Sequence, residues 1–512
     1  MKTKFIPLIR PARFVAALAL ALTATPADAV NFYWDGNSTT GDADGGNGTW
    51  NTSTTNWDTA ATGGGNVTWG NATNSDAFFG GTAGTVTLGG NITARKMTFS
   101  TTGYTLDLAG NTLTTGTAGN PITAGVTTTT ISDSAGTGGW NISSLASTIS
   151  VSNGGLVTVN AKITGNGSMD VGGGGSVSLT NDTNDFTGIL EKQNNNALTI
   201  SSIKNSGVAS AAGAGNLVLV GFNSVIIYNG SGDSTNRTLG LNASGNAALR
   251  NNGGSGALTW TGAFNNTTTA NATFTLGGNN TANNELQGTL TDNGTNVLSV
   301  TKADAGKWVL SGNNTYTGNT TVSTGTLLIN GNSSAATGAV NVASGATLGG
   351  SGTIGGATTV NGNLQPGNSP GVLNFSAGLS LTSTANTTME INGSTTRGTD
   401  FDGINVNSSA LVYDGTLTLA VGTTFGVGSY TFNLFDFGSQ SGSFDAITLS
   451  GSYTGSLAGP GNVWTLASGN NTWTFTHSTG DLGLSVIPEP STWALIAFSL
   501  TTVLILRRRR MA

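Results

Sequence analysis

Apolar and polar residues in this chain alternate in bursts too short to stand alone. From residue 320 the bursts become nearly metric: Thr320-Thr321-Val322, Thr326-Leu327-Leu328-Ile329-Asn330, Ala339-Val340-Asn341-Val342, Ala346-Thr347-Leu348 and Thr358-Thr359-Val360, each closed by a Gly, Asn or Ser-Gly turn. A period of two marks a half-buried strand, and turn residues at this density mark its ends. Strands of three to five residues cannot form the long hairpins of a sandwich. Short units that cannot bury an apolar face singly gain one by stacking on their neighbours. The expected fold is therefore all-β: a right-handed parallel β-helix, with Val, Ile and Leu in the axial core and Thr and Asn in ladders along the coils. Earlier strands fit the same scheme, among them Thr85-Val86-Thr87-Leu88, Leu156-Val157-Thr158-Val159 and Ser176-Val177-Ser178-Leu179.

An internal repeat strengthens this reading. Leu310-Ser311-Gly312-Asn313-Asn314-Thr315-Tyr316-Thr317-Gly318 is echoed by Leu179-Thr180 and Asn184-Asp185-Phe186-Thr187-Gly188, the shared core being Asn-x-aromatic-Thr-Gly before a strand. The later copy, running on to Val322 and Gly325-Thr326-Leu327, resembles the autotransporter-associated β-strand repeat. So do Leu364-Gln365-Pro366-Gly367-Asn368-Ser369-Pro370-Gly371, Thr399 to Val406, and the opening Tyr33-Trp34-Asp35 with Trp50 and Asn56-Trp57. The resemblance implies a passenger-like β-helix displayed outside the cell.

Five regions follow. Residues 1–29 read as a signal peptide, 30–84 as a tryptophan-rich β cap, 85–410 as the β-helix, 411–486 as a more aromatic C-terminal β module, and 487–512 as a tail. At about 22 residues per coil, the roughly 325 residues of the β-helix predict about 15 coils and roughly 70 Å of length.

Both ends carry addresses. Lys2, Lys4, Arg10 and Arg13 precede an apolar stretch from Phe14 to Leu22, and Ala27-Asp28-Ala29 supplies small residues at Ala27 and Ala29 for signal peptidase. At the other end Pro488-Glu489-Pro490 precedes an apolar run from Trp493 to Leu506, expected as a single hydrophobic helix, and the basic stop Arg507, Arg508, Arg509 and Arg510. Fourteen helical residues span only about 21 Å, short of the roughly 30 Å hydrocarbon core. Such a segment suits transient anchoring in the inner membrane, with its arginines held on the cytoplasmic side. The order of motif, apolar run and arginines resembles the PEP-CTERM sorting signal of Gram-negative bacteria. That resemblance implies that Pro488, Glu489 and Pro490 are recognised by an exosortase-type membrane peptidase, and that the protein accompanies exopolysaccharide. One departure stands against the autotransporter likeness: the C-terminus carries no run of ten-residue alternating strands closing on an aromatic residue. The sorting tail is expected to take the place of self-transport.

Composition removes several functions. Without the signal peptide and tail, 10 bases remain against 22 acids, a net charge near −12, which makes nucleic acid a poor partner. An exported chain with no cysteine has no disulfide framework and no thiolate metal site. His477 is the single histidine and is expected at the surface of the C-terminal module. Asp400 and Asp402 are expected on one face of a strand, where paired carboxyls could hydrolyse a glycoside, although a structural role is favoured. Asp42/Asp44 and Asp182/Asp185 read as turn caps before they read as calcium ligands. Trp34, Trp50, Trp57 and Trp69 could stack on sugar but are favoured as a hydrophobic cap. The expectation is an exported, non-enzymatic surface or matrix protein without cofactor or resident metal. An adhesin for a specific glycan and a β-helical lyase or glycosidase are the alternatives.

Overall fold

A computed structural model describes residues 28–36, 41–115, 121–143, 147–195, 197–367, 369–459, 461–488 and 492–509. Among the described residues the elements are all β-strands apart from one C-terminal helix, and the strands stack into long parallel sheets, the arrangement of a β-helix. One face carries seventeen strands in a continuous ladder, from Gly48–Trp50 to Ser439–Gly442. A second face starts with Val30–Trp34 and Ser75–Phe79 and runs to Phe264–Asn266. A third is laid down by an eleven-stranded sheet that begins at Asp233–Thr235.

The core follows from the alternation. Leu106, Ile131, Val159, Leu179 and Ile200 sit opposite one another in successive coils, all buried. In the metric region Val322, Val342 and Val360 do the same, with 20 and then 18 residues per coil. At about 4.8 Å between strands, seventeen strands give a rod about 77 Å long. The ladder exceeds the expected 15 coils because parallel pairing begins inside 30–84, at Gly48–Trp50, and continues past residue 410 to Ser439–Gly442.

Close coil spacing explains the glycines of the repeat. A Cβ on Gly338 would lie 1.9 Å from the Gly318 carbonyl oxygen, and one on Gly356 would lie 1.7 Å from that of Gly338. Backbone passes over backbone at this corner, coil after coil, and only glycine leaves room. The repeat's asparagines are equally placed. The buried Asn314 accepts the Leu290 N–H (2.9 Å) and donates to Ser333 Oγ (3.1 Å); the buried Asn184 accepts the Ile163 N–H (2.8 Å) and donates to the Ala211 carbonyl (3.0 Å). Phe186 and Tyr316 are both buried two residues on. The two copies thus occupy one structural place, turning a corner and bonding a coil on either side.

Antiparallel strands cover one sheet edge at each end. Trp57–Asp58 pairs antiparallel with Val30–Trp34 and with Asn66–Val67. At the far end Gly455–Leu457 pairs antiparallel with Ala446–Gly451. Beyond it Gly428–Asn433, Asp481–Val486, Asn471–Thr476 and Val463–Ser468 form a four-stranded antiparallel sheet. Trp34, Trp50, Trp57 and Trp69 are buried and pack edge to face or tilted at 4.9–5.0 Å, so they cannot be a sugar platform. They fill the first coils as a small aromatic core.

The C-terminal helix runs Thr492–Arg509. Its eighteen residues rise about 27 Å and include Arg507, Arg508 and Arg509. Among the described residues no helix is long and apolar enough to cross a membrane.

Candidate functional site

The longest face presents its chemistry outward. Thr105, Thr130, Thr158, Ser178 and Thr199 are in register across five coils. That row continues through Ile227, Arg250 and Gly277, and two residues away a second row takes over with Thr275, Thr301, Thr321, Asn341, Thr359 and Ser380 in register. These side chains are half-buried to exposed, while the residues beside them in each strand point into the core. Hydroxyls and amides therefore repeat at about one strand spacing on a stiff backbone. Because these Thr, Ser and Asn side chains are neutral, any contact they make rests on hydrogen bonds and is little screened by salt.

The tail stands apart from this face. Pro488 and Arg507 are exposed; Glu489, Pro490 and Arg510 lie outside the described residues, and Arg508 and Arg509 belong to the helix. Ala29 is exposed, and Ala27 lies outside the described residues.

The carboxylates of these pairs are each engaged in contacts within the protein. Asp400 is in a turn, not on a strand face, and its Oδ2 accepts the N–H groups of Thr395 (2.9 Å) and Thr396 (3.0 Å). Asp402 points inward instead; its Oδ1 accepts the Gly371 N–H (2.8 Å) and its Oδ2 the Glu390 N–H (2.7 Å). Burial outweighs those two amide donors and lifts the Asp402 carboxyl to about 7. The two carboxyls thus hold separate backbone segments and share no cleft for a glycosidic bond. Asp182 accepts the hydroxyls of Ser201 and Ser202 (2.7 Å each), Asp185 pairs with Lys162 at 2.6 Å, and Asp42 accepts the Gly63 N–H (2.8 Å). Among the described residues no three His, Cys, Asp or Glu side chains are grouped to hold a metal ion.

His477 corrects the surface expectation: it is 1% exposed. Its ring is ringed by Tyr413, Phe444, Trp464 and Phe475. Nε2 accepts the Phe444 N–H at 3.2 Å, which leaves Nδ1 to donate to the Asn462 carbonyl at 3.3 Å. Burial lowers its pKa below the ordinary 6.5. The neutral ring thus adds stability above pH 6.5, and that contribution is lost as pH falls below it. With a single histidine in the chain, its ring resonance needs no assignment. It should titrate below 6.5 as the Nδ1–H tautomer in a pH series of NMR spectra; a midpoint at or above 6.5 would refute the buried placement.

Sequence reasoning also missed three buried cations. Lys302 is 0% exposed, and its Nζ donates to the carbonyls of Ala303 (2.6 Å), Asp304 (2.7 Å) and Thr324 (3.1 Å). Lys192 is held the same way by the carbonyls of Asn194 (2.7 Å) and Asn195 (3.3 Å). Arg237 makes six hydrogen bonds to the segment between Lys204 and Gly215. A detectable signal existed for the lysines: each continues an alternating strand at an inward position, Val300-Thr301-Lys302 and Leu190-Glu191-Lys192.

With this geometry in hand, likeness to known proteins can be placed on it. Residues 300–329 match the Passenger-associated-transport-repeat, and that segment includes Lys302, Gly312, Asn314, Tyr316 and Gly318. The chain is also 35% identical over 418 residues to the Adhesin BmaC autotransporter of Brucella suis biovar 1 (strain 1330). That match covers 64% of this chain and 12% of the relative, so the chain spans about an eighth of the protein it resembles.

Proposed function

We propose that this protein is an exported, non-enzymatic component of the cell surface or its extracellular polymer, processed at both ends. In this reading signal peptidase removes residues 1–29 and an exosortase-type peptidase acts at Pro488, Glu489 and Pro490. The observation that carries it is the outward row of Thr, Ser and Asn side chains, a neutral hydrogen-bonding surface repeated along a rigid ladder. Polysaccharide matches it chemically, since its hydroxyls can meet the row at many points, each weak, with combined strength set by how many engage. The passenger repeat and the adhesin likeness support surface display.

The tail helix supports a temporary stop better than a permanent anchor. It is too short to span a bilayer comfortably, yet its arginines would resist translocation. Intact mass of the protein from surface and medium fractions tests the reading. The expected mass lacks residues 1–29 and ends near Pro490. A mass retaining Trp493 to Arg510 would overturn the sorting step.

A second reading, an adhesin with one specific glycan, is favoured by the adhesin likeness. It predicts saturable binding to a single glycan, where a scaffold binds many loosely.

A further inference from the structure

The antiparallel sheet at the C-terminal end borders a groove of about 670 Å³, lined by Thr424, Phe425, Gly426, Val427, Tyr453 and, from the facing strands, Asn470, Asn471, Val486 and Ile487. Its volume lies in the range of small-molecule sites. Phe425 and Tyr453 stand near-parallel, 6.4 Å between centroids with 23° between planes, and Trp473 backs Tyr453 edge-on at 5.1 Å. Tyr453 Oη accepts the Phe425 N–H at 2.9 Å, which fixes the two rings relative to each other. Val427 and Ile487 remain 64% and 58% exposed at the rim.

The polar lining is unspent. Among the described residues, the half-buried side chains of Asn470 and Asn471 and the exposed Thr424 hydroxyl make no hydrogen bond within the protein, and the Tyr453 hydroxyl donates to no protein acceptor. No charged side chain is among the described residues that line the groove. The half-buried rings of Phe425 and Tyr453, with Val427 and Ile487 at the rim, offer apolar contact to the C–H side of a sugar ring, and the amides offer paired donors and acceptors to its hydroxyls. An apolar helix would leave those amides unpaired, and an acidic sugar would find no cation. We propose that this groove binds a neutral hexose unit of an oligosaccharide, a defined sugar site distinct from the diffuse row on the long face. The proposal rests on the surface reading, because it supposes that the groove meets polysaccharide.

The experiment is saturation-transfer NMR and titration of the full chain with maltohexaose, cellohexaose and chitohexaose, alginate serving as an acidic control. At least one neutral oligosaccharide should bind saturably, with an affinity unchanged between about 0.05 and 0.5 M NaCl. Asn470→Ala with Asn471→Ala should weaken it about tenfold or more. Val427→Trp adds bulk at an exposed rim position without touching the core, and should abolish binding while leaving the unfolding midpoint in place. Absence of saturable binding by all three neutral sugars, binding unaltered in both variants, or binding to alginate alone would each overturn the site. If no sugar binds and Val427→Trp instead raises amide exchange in the C-terminal helix, the occupant is the chain's own tail and the proposal fails. Protease added to intact cells separates this from the surface reading: protection of the protein defeats surface display whatever the groove binds, while accessible protein without sugar binding defeats the groove alone.

Discussion

Alanine at Gly356 will lower the stability of the β-helix by about 3 kcal/mol or more, more than most single methyl additions to a packed interior. The new Cβ would sit 1.7 Å from the Gly338 carbonyl oxygen and 2.7 Å from its carbon. Neither contact is with a side-chain tip that could swing aside; both are with the backbone of the adjacent coil. Relief requires two coils to separate, and separation breaks ladder hydrogen bonds on the faces they share. Since repeat arrays couple mainly to nearest neighbours, the damage should concentrate around residues 338–379. Gly90→Ala is the control, because a Cβ there meets nothing within 4 Å, and it should stay within about 0.5 kcal/mol of the parent. Urea unfolding of the two variants measures the contrast; equal midpoints would mean that the coils are not stacked at this corner.

Removal of the Arg237 guanidinium should cost about 3–5 kcal/mol of local stability. Arg237 is 0% exposed, and burial lowers its pKa to about 10 without bringing in a carboxylate partner. What compensates the buried charge is a cage of acceptors: the carbonyls of Lys204 (2.7 Å), Val208 (3.1 Å), Ala212 (3.1 Å), Gly213 (2.6 Å) and Gly215 (2.8 Å), with the Ser210 hydroxyl (3.0 Å). The segment has no strand of its own between Ala197–Ile200 and Leu217–Gly221, so the guanidinium stands where a sheet ladder would otherwise organise the backbone. Arg237→Ala leaves those carbonyls unsatisfied. Arg237→Lys keeps the charge but can reach only some of them, because an ammonium lacks the planar fork. Amide exchange of residues 204–215 should rise in both variants, and more in alanine. Unchanged exchange in Arg237→Ala would show that the loop is held by something else.

Much of the fold was legible because alternation and turn chemistry are local. Val322, Val342 and Val360 announce an inward row by spacing alone, and Asn314 and Gly318 announce a corner by recurring with Tyr316. Where a contact depends on which coil lies beneath, one strand's pattern is silent. Asp402 reads as half of a pair with Asp400 from i, i+2 spacing; the turn before Phe401 sends Asp400 to its own loop and Asp402 to two other segments. His477 reads as a strand-end polar residue, and only the packing of Tyr413 and Phe444 from distant coils buries it. Arg237 was invisible for the same reason, since its six acceptors span residues 204–215 and belong to no motif. The groove at Phe425 and Tyr453 likewise draws on four segments. Its aromatic residues are counted easily in the sequence, but their facing amides at Asn470 and Asn471 look like ordinary turn residues.

The antiparallel strands at the two ends fix how such molecules can combine. A stack of coils with open ends would be a monomer unit for a filament, each copy templating the next. Trp57–Asp58 covers the edge of Val30–Trp34 and Gly455–Leu457 that of Ala446–Gly451, while Gly48–Trp50 and Ser439–Gly442, the end strands of the longest ladder, each pair on one side only among the described residues. End-to-end pairing between copies is therefore blocked on the face that starts at Val30–Trp34 and on the one that ends at Ala446–Gly451, and stays open on the longest face.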